Sequence, residues 1–301
     1  MSKIKTRTKK APSKLVITKE NKNSKKTIGI AGVGIVGTQI KDWFELKGHN
    51  VFTYDKFNDN FNSFDELNEA EIIFLCLPTP HSKNYRHGVN LSDFDEILRK
   101  LNEPKLIIIK STVPVGATHR FQKIFTNHYF FHNPEFLTAT RARKDFFKPI
   151  YQIIGYTEKS KRLSQGILRM LPKGKKNLIL PARSSEIFKF TRNAFFTVKV
   201  IFANHIYDLC QSFGEDYEKI KDLMHADPWM SRHHFHVMHN DYRGFGGKCL
   251  PKDLKTYIKI FKSRKLKPEL FEVIDKINTQ LLKEQNLFKT LKEKWLNNKG
   301  A

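Results

Sequence analysis

Cysteine is scarce in this chain of 301 residues, which contains only Cys76, Cys210 and Cys249. Their odd number, wide separation and lack of any Cys-x-x-Cys spacing exclude a disulfide-rich secreted scaffold. Long apolar runs are absent as well: the longest, such as 71–78 and 106–109, have the length of a strand, whereas a membrane span needs about 18 residues. No secretory leader is recognisable near the start. The sequence therefore predicts a reducing, cytoplasmic setting and no membrane span.

Acidic residues are in the minority, with 30 Asp and Glu against 54 Lys and Arg and a net charge of +24. Residues 1–26 hold ten of the basic residues and a single acid, Glu20. Their Ser, Asn, Pro and Lys content is typical of a disordered basic tail. We expect this tail to be solvated, with nucleic acid or an anionic surface as the alternative partner. The charge on the rest of the chain suits an anionic substrate.

The hydrophobic pattern changes at Pro181. Before it, strand-length apolar runs alternate with helix-length segments, which is typical of an α/β fold with a Rossmann-type, doubly wound parallel sheet. After it, the pattern is mostly helical. We predict strands at 27–31, 50–54, 71–77, 106–110, 128–131 and 151–155. We predict helices at 39–47, 91–102, 115–125, 184–212, 215–225, 252–263 and 268–297.

A Gly-x-Gly-x-x-Gly turn separates the first strand from the first helix, and Asp55 ends the next strand. This context is typical of a dinucleotide site, in which the glycines let the backbone approach a pyrophosphate at the helix N-terminus. Asp55 should accept hydrogen bonds from ribose hydroxyls, which favours NAD over NADP, although Lys56 lies beside it. The cofactor-binding residues expected from this motif are Gly32, Gly34, Ile35, Val36, Gly37 and Asp55.

Three polar residues on the long helix, Glu186, Lys189 and Asn193, have the spacing i, i+3, i+7 and share one face. Two interpretations remain open for this face. It is either a solvated charged surface, or Lys189 stabilises a developing oxyanion while Asn193 holds a water molecule.

Cys249 follows three glycines and precedes a Lys-Asp pair in the stretch 244–254, GFGGKCLPKDL. The glycines leave its backbone uncrowded, while Lys248 and Lys252 should favour the thiolate. Asp253 could position or deprotonate a water molecule. Near a nicotinamide, such a cysteine can trap an aldehyde and support a second oxidation through a thioester. The alternative is a loop cysteine that only packs, as we expect for Cys76 and Cys210.

Five histidines cluster in sequence at 225, 233, 234, 236 and 239. No cysteine or carboxylate that could complete a zinc site is available beside them, so we predict no metal. We expect them to line the substrate mouth or the surface, where protonation near neutral pH could tune the binding of anions.

Six motifs occur in the order found in one known family: GVGIVG, FLCLPTP (74–80), KSTVPVGAT (110–118), HNPEFLTATRARKDFFKP (132–149), EIFKFTRNAFF (186–196) and GFGGKCLPKDL. Through them, residues 27–282 resemble the UDP-glucose/GDP-mannose dehydrogenase family. The resemblance implies two-step oxidation of a nucleotide-sugar primary alcohol to a carboxylate with two NAD. A homodimer across the central helix is also implied.

Site residues follow from the resemblance by matching motifs. Cys249 would be the nucleophile, Lys189 would stabilise the oxyanion, and Asn193 would hold substrate or water. Thr112 and Asp253 would position the catalytic water, and Glu135 would assist thioester hydrolysis. The NAD site would add Thr79, Pro80, Thr112 and Lys252 to the glycine turn. The substrate site would comprise Phe136, Leu137, Lys189, Asn193 and Gly246.

The chain departs from the family pattern at several places. Ala139 replaces a second glutamate, Trp229 follows Asp227-Pro228 where arginine is common, and His205 stands in an Asn-Glu position. We expect a lone C-terminal helix in place of the family's UDP-binding domain. Without that domain, the binding site for the nucleotide would be incomplete. The predicted segments are a basic tail (1–26), an NAD-binding Rossmann domain (27–182), a helical central domain (183–265) and a C-terminal helix (266–301).

Two other functions remain possible from the sequence. One is a two-electron, NAD-dependent hydroxyacid dehydrogenase, which shares the layout and a Lys-x-x-x-Asn pair. The other is a non-catalytic family relative that acts as a binding protein. Replacement of Cys249 by serine distinguishes the first of these from the four-electron enzyme: it should abolish carboxylate formation in the four-electron enzyme and have little effect in the two-electron enzyme.

Overall fold

The structure is a computed structural model that describes residues 25–61, 63–82, 85, 88–230, 232–239 and 241–291. The predicted basic tail, apart from its last two residues, and the last ten residues of the chain lie outside this part. Within it, no helix is both long enough and apolar enough to cross a membrane.

A seven-stranded sheet forms the first half of the chain, with the spatial order β2-β1-β3-β4-β5-β6-β7. Its strands are β1 (Thr27–Ala31), β2 (Asn50–Tyr54), β3 (Ile72–Leu75), β4 (Leu106–Ile109), β5 (Tyr129–His132), β6 (Tyr151–Tyr156) and β7 (Lys176–Pro181). The first five strands are parallel, β6 is antiparallel to β5, and β7 is parallel to β6. The doubly wound Rossmann-type sheet is confirmed, with a reversed pair of strands at one edge.

Helices cover both faces of this sheet. They are α1 (Ile35–Leu46), α2 (Phe64–Glu69), α3 (Ser92–Lys100), α4 (Ala117–Ile124), α5 (Ala142–Phe147) and α6 (Ser164–Met170). Because both faces are covered, successive residues of β3 enter different cores: Ile72 and Phe74 pack with β1 residues on one face, and Ile73 and Leu75 pack on the other. The continuous apolar runs in the sequence are explained by this burial.

The second half is helical and is carried by α7 (Ala182–Phe213), which ends at Gly214 in the left-handed conformation with φ of 72°. It packs against α9 (Leu250–Ser263), α10 (Glu269–Glu284) and α8 (Tyr217–Ala226). A two-stranded hairpin, β8 (Met238–His239) and β9 (Tyr242–Arg243), precedes the glycine-rich loop.

The sequence predictions differ from the structure at several places in the fold. The predicted parallel sheet contains the antiparallel β6, and the short helices α2, α5 and α6 were not predicted. β7 was not predicted, and its side chains are largely exposed at the edge of the sheet. The last helix was predicted to run from 268 to 297, but α10 ends at Glu284, and Asn286 then takes a φ of 58° that breaks the helix. The predicted boundaries between domains stay a prediction.

Candidate active site

The glycine turn lies between β1 and the N-terminus of α1. Gly32 has a φ of 92°, which L side chains rarely adopt, and a methyl group at Gly37 would collide with the carbonyl oxygen of Gly32. The turn therefore needs both glycines to bring the start of α1 close to β1. Unpaired N–H groups at a helix start are suited to holding phosphate oxygens.

Asp55 lies at the carboxyl end of β2 and supports this turn. One of its oxygens accepts a hydrogen bond from the Val33 N–H at 2.9 Å, and the other accepts from the Phe57 N–H at 3.0 Å. The adjacent Lys56 lies 2.5 Å from Asp93 and 4.0 Å from Glu96, so its charge is matched by two acids. The lysine beside Asp55 therefore adds no net positive charge that would attract a ribose phosphate.

A cavity of about 270 Å³ opens above the glycine turn, between β1, β2, β3 and α3. Its walls combine the turn and Asp55 with apolar side chains such as Leu77 and Ile97. This combination fits an adenosine group, with apolar walls for the base and a carboxylate for the ribose. On these grounds the residues present fit NAD.

A second cluster lies where α7 meets the loop after β5. The Lys189 ammonium donates to the Glu135 carboxylate at 2.8 Å and to the Glu135 carbonyl oxygen at 2.7 Å, while the other carboxylate oxygen accepts from the Leu137 N–H. Burial alone would raise the pKa of Glu135, but Lys189, the Leu137 N–H and Lys110 together hold it below its ordinary value. Glu135 is therefore an ionised carboxylate at neutral pH.

A third cluster joins α7 to the first turn of α9. Asn193 donates to one Asp253 oxygen at 2.6 Å, and Lys252 donates to the other at 2.6 Å. Lys252 also lies 3.5 Å from the Thr79 hydroxyl, in the loop after β3. Asp253 and Lys252 are both buried. The helical half is thus linked through polar side chains to the cofactor sheet.

Cys249 immediately precedes α9, and its side chain is exposed. Neighbouring atoms nevertheless desolvate the thiol, which raises its pKa; Asp253 and Glu135 act in the same direction, and Lys252 and Lys189 oppose them. These charges all lie close enough to act on one sulfur atom. Lys252 favours the thiolate, as the sequence predicted, but desolvation and the Asp253 carboxylate outweigh the lysines, so the net pKa of the thiol is raised.

The structure leaves some expected site residues outside these clusters. Thr112 is half-buried in the loop between β4 and α4, and the described residues show no side-chain hydrogen bond from it to the clusters. A methyl group at Gly246 would collide with the Tyr242 hydroxyl, so this glycine meets a neighbouring side chain. Glu186 turns away from Lys189 and accepts hydrogen bonds from Gly116 and Thr118 at the start of α4. Glu186 therefore joins α7 to the start of α4 and takes no part in the clusters above.

A larger cavity of about 510 Å³ adjoins Glu135. Three rings, Phe136, Tyr151 and Phe188, meet edge to face with centroids 5.5–5.8 Å apart. Arg192 lies over the Phe136 ring, 5.3 Å from its centroid. Sequence reasoning identified Glu135, Phe136, Leu137 and the histidines but missed Tyr151, Phe188 and Arg192. The spacing of Phe188 and Arg192, one helical turn apart and next to Lys189, was a signal that could have found them.

Lys110 is another residue that sequence reasoning missed. It lines the same cavity, is buried, and donates to the Asn133 side chain at 2.9 Å. Burial lowers its pKa to about 8, against the opposing effect of Cys76 and Glu135. The lysine in the motif KSTVP was the available signal.

The histidines form no metal cluster with other ligands within the described part of the chain. His233 and His234 line the larger cavity, as expected for a substrate mouth. His234 stacks on Phe196, with centroids 3.8 Å apart, and burial together with Lys199 and Arg192 lowers its pKa to about 4. It stays neutral near pH 7, so the predicted tuning of anion binding by protonation is wrong for this residue.

These features define a Rossmann protein with a dinucleotide-type glycine turn and with polar clusters that join its sheet to its helical half. Residues 55–173 match the NAD binding domain of the UDP-glucose/GDP-mannose dehydrogenase family, and residues 183–280 match the central domain of the same family. The chain belongs to this family and carries its NAD binding domain.

Curated relatives agree with this assignment. The chain is 28% identical over 236 residues to UDP-glucose 6-dehydrogenase of Rickettsia felis, covering 75% of this chain and 51% of that protein. It is 27% identical over 241 residues to UDP-glucose 6-dehydrogenase of Pseudomonas aeruginosa, covering 75% and 52%. The chain therefore spans about half the length of these relatives.

Solved structures show the same fold. A UDP-glucose dehydrogenase from Pyrobaculum islandicum superposes with a TM-score of 0.74 at 23% identity, covering 89% of this chain and 72% of that chain. A 3-hydroxyisobutyrate dehydrogenase from Mycobacterium tuberculosis gives a TM-score of 0.68 at 17% identity, covering 89% and 99%. The fold is thus shared by solved chains of which this chain covers 72% and 99%.

Proposed function

We propose that the protein is an NAD-dependent nucleotide-sugar 6-dehydrogenase that oxidises the primary alcohol of a UDP-glucose-like substrate to the uronate. The observation that carries this proposal is the exposed Cys249 at the start of α9, one turn before Asp253, whose carboxylate is bound by Asn193 and Lys252. Membership of the family, and relatives named UDP-glucose 6-dehydrogenase, support the same substrate class.

The cavity beside Glu135 is the proposed site of the nucleotide sugar. Its aromatic walls suit a base or a sugar face, and Arg141, Lys148 and Arg192 supply positive charge for a diphosphate. Phe136 and Leu137 contribute to its lining, which agrees with their predicted role in substrate binding. Because the cavity reaches Glu135, the sugar can extend from it towards Lys189.

The proposed chemistry has two oxidations and one hydrolysis. NAD, held by the glycine turn and Asp55, would supply the hydride acceptor for each oxidation. After the first oxidation, the Cys249 sulfur bonds to the aldehyde carbon as the carbonyl π bond opens, the thiol proton passes to solvent water, and Lys189 stabilises the resulting oxyanion. The second oxidation converts this adduct into a thioester. Water, positioned by Asp253 and Thr112 with assistance from Glu135, then cleaves the C–S bond, which frees the carboxylate and restores the thiol.

Counting the NADH released per UDP-glucose consumed tests this proposal with the full chain. A ratio near two supports it, a ratio near one indicates a two-electron dehydrogenase, and zero indicates a non-catalytic relative. The Cys249→Ser variant is the matched control. Carboxylate should no longer form in it, because a serine adduct lacks the easily oxidised and hydrolysed sulfur link.

A homodimer is proposed as the working assembly. Phe202, Leu209 and Phe213 are 44%, 54% and 76% exposed along α7. Their spacing of seven and four residues places them on one helix face. An apolar stripe of this kind is suited to packing against its own copy. The cytoplasmic location stays a prediction, with which the three free cysteines agree.

A further inference from the structure

The loop that leads to Cys249 is held by α10, through side chains that no motif assigned. The Asn278 carboxamide accepts a hydrogen bond from the Phe245 N–H at 2.7 Å and donates one to the Phe245 carbonyl oxygen at 2.9 Å. Asn278 is buried, with 2% of its surface exposed. A single side chain thereby satisfies both backbone polar groups of one loop residue.

Two turns later, Gln285 repeats this pattern on the same strand of backbone. Its carboxamide accepts from the Arg243 N–H at 2.8 Å and donates to the Arg243 carbonyl oxygen at 3.1 Å. The two carboxamides thus form hydrogen bonds with the backbone of alternate residues, 243 and 245, as a neighbouring β-strand would. We call Asn278 and Gln285 the amide clamp.

Close approach of the clamp requires the glycine between these residues. Gly244 has a φ of 89°, and a methyl group there would lie 2.6 Å from the Asn278 oxygen. Phe245 is itself buried against Leu254 and Ile274. The loop is therefore fixed four residues before Cys249, by its backbone and by its side chain.

The other side of Cys249 is fixed by α9. Its carbonyl oxygen accepts from the Asp253 N–H at 2.9 Å, and Asp253 is in turn bound by Asn193. Between the two anchors lie only Gly246, Gly247 and Lys248. Release of the clamp would free this short segment while leaving the first turn of α9 in place.

We propose that Asn278, assisted by Gln285, is a positioning residue that fixes the loop before Cys249 and thereby holds this cysteine beside the first turn of α9. The inference rests on the proposed function only in making Cys249 the nucleophile. It gives α10 a part in the cysteine site, whereas the sequence predicted a C-terminal helix in place of the family's UDP-binding domain.

Alkylation of the full chain by iodoacetamide tests this without any need for turnover. The rate at Cys249 is followed by mass spectrometry of its peptide as the pH is raised. Cys210 is buried and burial raises the pKa of Cys76 to about 12, so both serve as slow internal references. In Asn278→Ala, the midpoint of the pH profile should fall towards that of an ordinary thiol, with at least about a threefold faster reaction below the midpoint.

Leu282→Ala is the matched control, since Leu282 is a fully buried residue of the same helix that packs in one cluster with Tyr242 but whose apolar side chain makes no hydrogen bond to the loop. Its profile should stay at the wild-type midpoint. Equal shifts in both variants, or none in Asn278→Ala, would overturn the proposal. Gln285→Ala, a half-buried site, should give a smaller shift in the same direction and replaces Asn278→Ala if that variant does not fold. The NADH count on the same samples reports separately on the dehydrogenase activity.

Discussion

Asn193 and Asp253, sixty residues apart in the chain, are joined by a hydrogen bond of 2.6 Å that ties the middle of α7 to the first turn of α9. The Asp253 carboxylate also forms an ion pair with the Lys252 ammonium at 2.6 Å, and both side chains are buried. The pair lies in the first turn of α9, where the Asp253 N–H also donates to the Cys249 carbonyl oxygen. Its integrity therefore affects both the stability of the helical half and the proposed position of the water.

Removal of the Asp253 carboxylate should be costly. In Asp253→Ala the Lys252 ammonium is left buried without its counter-ion, and we expect the free energy of unfolding to fall by about 3–5 kcal/mol. Denaturation by urea, followed by circular dichroism, measures this. Asp275→Ala is the control, because its ion pair with Lys255 is partly exposed, and the loss there should stay near about 1 kcal/mol. Equal losses in the two variants would contradict the expectation.

Glu186 should make stability depend on pH. Burial raises its pKa from 4.5 to about 7, and the hydrogen bonds from Thr118 and Gly116 oppose that rise only in part. The folded state thus binds the proton more tightly than the unfolded state does. The contribution is complete below about pH 4.5 and is lost as the pH rises through about 7, which amounts to about 3 kcal/mol. Comparing unfolding free energies of wild type and Glu186→Gln across this range measures it. Parallel pH curves would refute the assignment.

Cofactor choice should depend on Asp55. We expect the wild-type chain to bind NADH with higher affinity than NADPH. The 2′-phosphate of NADPH would be repelled by the Asp55 carboxylate, and Lys56 cannot offset this because it forms an ion pair with Asp93. In Asp55→Asn the discrimination should shrink by about tenfold, the equivalent of one charge-assisted hydrogen bond. Fluorescence titration with both reduced cofactors provides the ratio. An unchanged ratio would place the ribose elsewhere.

The apolar stripe on α7 should control assembly. We expect wild type to elute with the mass of two chains in size-exclusion chromatography with light scattering. Leu209→Lys should elute as a single chain, since a buried lysine in a symmetric contact is desolvated without a partner. Leu46→Lys is the control, because Leu46 is a similarly exposed leucine on α1. A monomeric wild type, or a dimeric Leu209→Lys, would exclude the α7 contact.

Local signals in the sequence were sufficient for the first βαβ unit. The glycine turn and the acid after β2 are determined by residues close together in the chain, and the structure joins Val33 to Asp55 as that motif requires. The direction of β6 had no such signal, because antiparallel pairing with β5 depends on the path of the chain between them. β7 was missed for a similar reason: as an edge strand, it needs little burial on either face.

The cysteine site was predictable only as far as its motifs reached. Lys189, Asp253 and Cys249 each belong to a short recognisable stretch. The bond between Lys189 and Glu135 links residues 54 positions apart, and Asn278 is an ordinary amide in an amphipathic helix until the fold brings Phe245 against it. Such contacts arise from tertiary packing, which a single sequence does not display.

The reversed strands at the sheet edge also determine how the two halves of the molecule can move. β7 passes directly into α7 at Pro181 without a loop, and the helix then continues for 32 residues, about 48 Å. The seven-stranded sheet is therefore joined without a hinge to α7, the helix on which Lys189 and Asn193 lie. Substrate should therefore enter a crevice of nearly constant width, and any gating must come from the side chains and loops at its mouth.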